Sequence, residues 1–191
     1  MKSIKLLPAC FAFGISLLNL SVAAHAEEVA NEDHSSNFAI GFDIDSYANN
    51  YGMGVTLASP RFFNDHADIQ VTADIAWAQG LENGDSKSNW EHYGLFKIGY
   101  FAGRFLEGLP IRVYGGGGVV FLTPSSSLSS DSVDVGGYGL AGLEFFVNPK
   151  RSKGLFLEFG GMGTGARADK MQNSPIYANG FTVSWGYKYY L

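Results

Sequence analysis

The chain has 191 residues, of which 46% are hydrophobic, 15% aromatic and 16% charged, with 25 glycines, one cysteine and a formal net charge of −5. This length suits a single domain, and the low charge content beside many aromatic residues and glycines argues against a disordered chain, a coiled coil and an ordinary helical enzyme. A single cysteine excludes a disulfide framework and a cysteine-rich zinc site, and the acidic charge gives no basic footprint for nucleic acid.

The N-terminal residues 1–26 have the three parts of a secretory signal peptide. Lys2 and Lys5 precede an apolar core that runs from about residue 6 to residue 20, and small residues at Ala24 and Ala26 follow it. This order predicts export and cleavage after Ala26. An uncleaved membrane anchor is the alternative, although the apolar core is short for a helix that spans a bilayer.

Residues 27–36 contain four acidic residues and little apolar surface, which predicts a flexible segment in front of a folded domain at residues 37–191. Within that domain no window approaches the run of about 20 apolar residues that a spanning helix needs. If the mature protein lies in a membrane, it must therefore cross it as strands.

Apolar and polar residues alternate along most of residues 37–191, as expected for strands with one apolar face. Eight such segments are predicted, at about 38–45, 51–58, 68–77, 96–100, 111–121, 138–147, 155–160 and 181–191. The pieces between them are rich in Gly, Pro, Asn and Ser and predict seven reversals, at 48–50, 59–66, 80–89, 102–109, 123–132, 148–153 and 166–175. An even number of antiparallel strands returns both chain ends to the same side.

Alternation alone does not choose between a soluble barrel, with its apolar face inside, and an outer-membrane barrel, with its apolar face outside. The polar face here carries about one charge per strand amid Gly, Ser, Thr and Ala, whereas the water-facing side of a soluble barrel is normally dense in Lys and Glu. This favours a narrow polar interior. The predicted fold is therefore an all-β, eight-stranded antiparallel up-and-down transmembrane β-barrel, with a soluble periplasmic ligand-binding barrel as the alternative.

Charged side chains on the polar face are expected to form a paired network in the barrel interior, because buried charges persist only when they are paired and hydrogen-bonded. The seven residues are Asp43, Asp74, Lys97, Arg112, Glu144, Glu158 and Lys188. Glycines at 115–118 and 136–142 suit a curved wall that leaves room for large interior side chains such as Arg112 and Tyr114. The alternative is that these charges simply face water.

The last residues, FTVSWGYKYYL, place Trp185, Tyr187 and Tyr189 on one face and end in the apolar Leu191. This ending resembles the C-terminal signature by which the barrel-assembly machinery recognises outer-membrane proteins, although members usually end in phenylalanine. Together with GGYGLAGLEFFVNP and GLFLEFGGMG, it gives residues 37–191 a resemblance to the small eight-stranded OmpA/OmpX-type outer-membrane barrels.

The resemblance implies a location in the outer membrane of a Gram-negative bacterium, with both termini in the periplasm. It implies outer-membrane lipid, lipopolysaccharide and the barrel-assembly machinery as partners, and it favours a monomer. The outward-facing connections would be 48–50, 80–89, 123–133 and 166–175, and the periplasmic turns 59–66, 102–109 and 148–153.

The leading functional hypothesis is a non-enzymatic barrel whose wall anchors surface loops that contact envelope components or host surfaces. A narrow porin-like barrel for small solutes or hydrophobic ligands and a lipid-modifying enzyme are the alternatives. For an enzyme, His92 with Glu91, Ser88 and Asp85 would supply the residue types of acyl transfer, but their spacing matches no recognisable catalytic set. No cofactor is expected, and no metal, because no cluster of His, Asp and Glu shows a ligand spacing.

Overall fold

The computed structural model describes residues 33–48, 50–81 and 88–191, and the predicted signal peptide lies outside this part of the chain. It contains eight strands: β1 (Ala39–Tyr47), β2 (Asn50–Ala58), β3 (Ala67–Leu81), β4 (Ser88–Phe105), β5 (Ile111–Pro124), β6 (Asp134–Phe146), β7 (Lys153–Gly163) and β8 (Gly180–Tyr190). Each strand pairs antiparallel with the next, and β8 pairs with β1, which closes the barrel. The described residues include no helix that is long and apolar enough to cross a membrane. The predicted eight-stranded up-and-down barrel is confirmed.

The direction of the side chains follows the predicted alternation. Outward-facing Phe42, Val55 and Trp185 are 50%, 49% and 54% exposed, whereas inward-facing Arg112 and Lys188 are buried. An apolar face that points away from the protein is the arrangement of an outer-membrane barrel and the reverse of a soluble one. The alternative of a soluble ligand-binding barrel required these apolar side chains to pack together inside.

Glycines in the wall allow close approach between strands and make room for interior rings. A Cβ added at Gly118 would overlap the carbonyl oxygen of Ile98 on the neighbouring strand. A Cβ at Gly142 would lie 2.7 Å from the ring of Tyr114, which fills the space above that glycine. Glycine in the wall therefore leaves room for the Tyr114 ring, as the sequence predicts.

The chain ends and the turns β2–β3, β4–β5 and β6–β7 lie at one end of the barrel, here called the terminal end, and the other connections lie at the loop end. At the terminal end, residues 33–36 pack against the β6–β7 turn, although their acidic composition predicted a flexible segment. The His34 backbone N–H donates to the Lys150 carbonyl at 2.9 Å, and Arg151 forms an ion pair with Asp33 at 2.9 Å.

The carboxyl group of Asp33 illustrates why this segment is held. Partial burial alone would raise its pKa, but hydrogen bonds from Ser35 and the charge of Arg151 outweigh burial and lower the pKa below its ordinary value of 3.8. Residues 33–36 are therefore held in part by partners distant in sequence, such as Arg151, which the local composition does not reveal.

Candidate functional site

The barrel interior is a stack of polar groups, and its first layer closes the terminal end. Arg112 donates to Asp68 at 2.7 Å, and Arg61 from the β2–β3 turn lies 3.7 Å from Glu144. The Tyr190 hydroxyl donates a hydrogen bond to Glu144 Oε1 at 2.6 Å. Both ion pairs are buried: one joins β3 to β5, and the other joins the β2–β3 turn to β6 across the interior.

The middle layer holds charges with uncharged partners. Lys188 donates to the Gln70 side chain at 3.1 Å and lies 4.7 Å from the centre of the Phe156 ring. Glu158 accepts a hydrogen bond of 2.5 Å from the Tyr114 hydroxyl. Amide, hydroxyl and aromatic groups therefore replace the direct charge pairing that the sequence predicted for these two residues.

Nearer the loop end lie the carboxylates of Asp43, Asp45 and Asp74, here called the acidic cluster. Lys97 Nζ lies 2.8 Å from Asp74 and 3.7 Å from Asp45. The hydroxyl of Tyr47 lies 2.7 Å from Asp45 Oδ2 and 2.9 Å from Asp74 Oδ2. One oxygen from each of the three carboxylates lies within 4.8 Å of the others.

All seven charges that the sequence analysis assigned to the interior are buried inside the barrel. Within this predicted set of seven, all of them described, Asp74 and Lys97 are the two that form an ion pair with each other. Arg112 and Glu144 instead pair with Asp68 and Arg61, which the predicted network did not include.

The ion-pair partners that the predicted network did not include differ in whether the sequence could have revealed them. Asp45 and Asp68 have the same parity as Asp43 and Asp74, so alternation alone places them inside. Arg61 lies in a turn, where no periodicity applies, and its role depends on the turn folding back over the barrel. The acidic cluster escaped a search for metal-ligand spacing because its carboxylates come from two strands that are separated by β2.

Little open space remains between these layers. A cavity of about 20 Å³ lies among Asp43, Lys97, Glu158 and Lys188, which is room for about one water molecule. Side chains that fill the centre are typical of an eight-stranded barrel.

The connections at 125–133 and 164–179 fold over the mouth at the loop end. Leu128 and Met171 are buried in the mouth, and the Tyr177 ring packs against Tyr93 with centroids 4.9 Å apart. The Lys170 backbone N–H donates to the Leu128 carbonyl at 3.3 Å, which joins the two loops. The buried parts of these predicted surface loops therefore close the mouth of the barrel. Their exposed polar residues form the outer surface of the loop end.

A second contact between these loops is a hydrogen-bonded carboxylate. Asp169 accepts from the Ser130 backbone N–H at 2.8 Å and from the Ser130 hydroxyl. These bonds lower the pKa of Asp169 below its ordinary 3.8. The contact is exposed to solvent, in contrast to the buried apolar contacts beside it.

Of the side chains considered for catalysis, the structure describes those of Glu91 and His92, which do not face each other. Glu91 faces the loop at 125–133, where it accepts hydrogen bonds from Ser125 and Ser127. His92 is the next residue of β4, so its side chain projects from the opposite face, and it is exposed. Asp85 and the Ser88 side chain lie outside the described part of the chain. A Glu91 and His92 pair in one active site is therefore not formed.

The predicted assembly signal lies on the outer wall. Trp185, Tyr187, Tyr189 and Leu191 are all exposed, and the Leu191 backbone N–H donates to the Phe38 carbonyl at 3.0 Å. The last strand therefore presents a continuous aromatic surface outward from the β1–β8 seam.

Comparison with solved structures finds a match to the N-terminal β-barrel domain of Pseudomonas aeruginosa OprF, with a TM-score of 0.57 and 11% sequence identity. The match covers 82% of this chain and 98% of the OprF chain. It shows that the chain has the fold of an eight-stranded outer-membrane barrel. No protein-family model and no curated protein matches the sequence.

Proposed function

We propose that this protein is exported to the outer membrane of a Gram-negative bacterium, where a non-catalytic barrel anchors the surface of its loop end. The observation that carries the proposal is the exposed apolar wall around an interior of buried charges. In water, such a wall would expose large aromatic and aliphatic side chains on every strand, whereas in a bilayer it contacts hydrocarbon. The filled interior supports an anchoring role over free diffusion of solutes.

Cell fractionation together with gel mobility tests the location. The folded protein is expected in the outer-membrane fraction and, because a β-barrel resists SDS until it is heated, unboiled samples should migrate differently from boiled ones. A folded protein recovered from the soluble periplasmic fraction without detergent would contradict the proposal.

An epitope tag tests which end of the barrel faces outward. A tag between Asp131 and Ser132, both exposed at the loop end, is expected to bind antibody on intact cells. The matched control is a tag after Gly108 in the β4–β5 turn at the terminal end, which should bind only after the outer membrane is permeabilised. The reverse result would invert the proposed orientation.

The loop at 125–133 is proposed to contact envelope components or host surfaces, because four of its six exposed positions are serine and a fifth is Asp131. Deleting the whole loop at 123–133 would also remove the buried Leu128 and open the barrel. A sharper variant replaces exposed Ser126, Asp131 and Val133 by Gly and keeps Leu128. It should assemble normally and change detergent sensitivity or surface binding of the cells; normal values for both would remove the loop role.

A further inference from the structure

The acidic cluster carries an excess of negative charge that the rest of the interior does not. Toward the terminal end, three buried carboxylates are matched by three buried cations: Asp68, Glu144 and Glu158 with Arg61, Arg112 and Lys188. Beside the three carboxylates of the acidic cluster, the described residues place one buried cation, Lys97, which forms ion pairs with Asp74 and Asp45 but not with Asp43. Uncompensated charge in a closed interior is costly, so the cluster calls for further positive charge.

Two carboxylate oxygens in the acidic cluster have no hydrogen-bond partner among the described residues. They are Asp43 Oδ2 and Asp74 Oδ1, on side chains that belong to residues only 3% and 6% exposed. A third buried carboxylate oxygen without a hydrogen bond, Glu144 Oε2, lies 3.7 Å from the Arg61 guanidinium and so has a cation beside it. Neither oxygen of the acidic cluster has a comparable partner.

The backbone directs these oxygens into a shared space. Gly54 of β2 pairs with Asp43 on one side and with Asp74 on the other. A Cβ at position 54 would overlap Asp74 Oδ1, so that oxygen leans over the glycine toward Asp43. The absence of a side chain at Gly54 is what lets the two carboxylates approach across an intervening strand.

We propose that Asp43, Asp45 and Asp74 bind one calcium ion inside the barrel. The donors are all oxygens, which hard cations prefer, and one oxygen from each carboxylate lies within 4.8 Å of the others. That separation fits two Ca–O bonds of about 2.3–2.6 Å. Together with Lys97, a divalent ion balances the three carboxylates.

Calcium fits this site better than magnesium. Mg²⁺ keeps several water molecules and demands near-octahedral geometry, whereas the adjacent cavity of about 20 Å³ has room for about one water. The Thr56 hydroxyl donates to Asp43 and the Ser184 hydroxyl to Asp45, so two further oxygens lie beside the carboxylates, and Ca²⁺ accepts such an irregular set of ligands. The bound ion would join β1 to β3 across β2.

The test uses the full chain folded in detergent micelles, either with Ca²⁺ or with EDTA. Ca²⁺ is expected to raise the thermal midpoint, and Tb³⁺, which replaces Ca²⁺, should show luminescence excited through Tyr47 beside the site. Ca²⁺ should displace Tb³⁺ with a stoichiometry of about one per chain. Failure of Ca²⁺ to change either readout in the unaltered protein would overturn the proposal.

Matched variants separate this site from general charge effects. Asp43→Asn removes one of the two carboxylates that have an unpartnered oxygen. It should weaken Ca²⁺ binding by about tenfold or more, because affinity follows the number of ligand charges. Asp68→Asn makes the same change in the layer at the terminal end, away from the cavity, and should bind Ca²⁺ normally. An equal loss of Ca²⁺ affinity in both variants would overturn the proposed site. An Asp43→Asn protein that is more stable than the unaltered chain both with Ca²⁺ and with EDTA would also overturn it. If Asp43→Asn does not fold, Asp45→Asn is read by the same criteria.

Discussion

At the scale of single residues, Lys97 shows how the barrel keeps a charge in its interior. Its ammonium group contacts Asp74 at 2.8 Å and Asp45 at 3.7 Å, and its stem crosses the lumen from β4. Gly99, the next inward-facing residue of the same strand, adds no side chain beside it. The side chain is held by partners on β1 and β3, so its removal affects three strands at once.

Replacing this lysine by a neutral residue of similar length is expected to be costly. Lys97→Met should lower the free energy of unfolding by about 3–5 kcal/mol, because removal of one partner leaves buried carboxylates without compensation. The measurement is urea unfolding in detergent micelles. Lys150→Met, at an exposed position of the β6–β7 turn, is the matched control and should change stability by less than about 0.5 kcal/mol.

A double variant checks the cause of that loss. Asp74→Asn in the Lys97→Met background should recover part of the stability, because it removes one of the stranded charges. Strict additivity of the two changes would show that Lys97 and Asp74 do not stabilise each other.

At the scale of elements, the sequence predicts most strands well where alternation is regular. β1, β2 and β8 begin and end within about two residues of their predicted bounds, since each alternates cleanly over its whole length. β4 is different: the pattern predicts 96–100, and the strand covers Ser88–Phe105. Its ends are fixed by pairing with β3 and β5, and inward glycines such as Gly103, which packs against Tyr114, interrupt the pattern.

The loop elements were less predictable for a related reason. Composition identifies 123–133 and 166–175 as connections, but nothing local shows that Leu128 and Met171 fold back into the mouth. Likewise, parity places seven charges inside, whereas the pairing of Arg61 with Glu144 depends on the three-dimensional path of a turn. The period of two in the sequence predicts which residues form strands and which way each side chain faces. Which side chains meet across the lumen depends on barrel closure and strand register, which leave no local pattern.

The packing of Leu128 gives a prediction for the loop end. Leu128→Ala should destabilise the closed arrangement of the two loops by about 2–5 kcal/mol, since it leaves a cavity in the buried cluster. Trypsin cleavage after Lys170, whose backbone bonds to residue 128, should become faster while the barrel stays folded. Val133→Ala, at an exposed position of the same loop, should leave the cleavage rate unchanged.

The contact between Ser130 and Asp169 makes the same region sensitive to acid. Because the folded-state pKa of Asp169 is lowered from 3.8, the contact stabilises the loops above that value and is lost as the pH falls through the lower folded pKa. The amide-exchange protection factor of the Ser130 N–H should therefore fall in that acidic range. Asp169→Asn should have lower protection at neutral pH and lose this pH dependence; an unchanged acid response in Asp169→Asn would assign it to another group.

At the scale of the whole molecule, two environments meet at the wall of the barrel. Inside, buried charged side chains contact partners from several strands; outside, apolar side chains such as those of Phe42 and Trp185 are about half exposed. A closed sheet satisfies its backbone hydrogen bonds internally, which is what allows strands to face hydrocarbon. Stability of the whole molecule therefore depends on the solvent outside as well as on the packing inside.

A charge on the outer wall tests this dependence. Val55 lies in the middle of β2, pairs with Phe42 and Ala73, and faces outward. Val55→Arg should make folding into lipid vesicles less favourable by about 2–4 kcal/mol, because the guanidinium is placed near the middle of the bilayer. Val133→Arg, at an exposed position of the loop end, should change it by less than about 0.5 kcal/mol. If both variants fold into vesicles with the same free energy as the unaltered chain, the wall at Val55 faces water. An arginine at a water-facing position of a strand has no comparable cost.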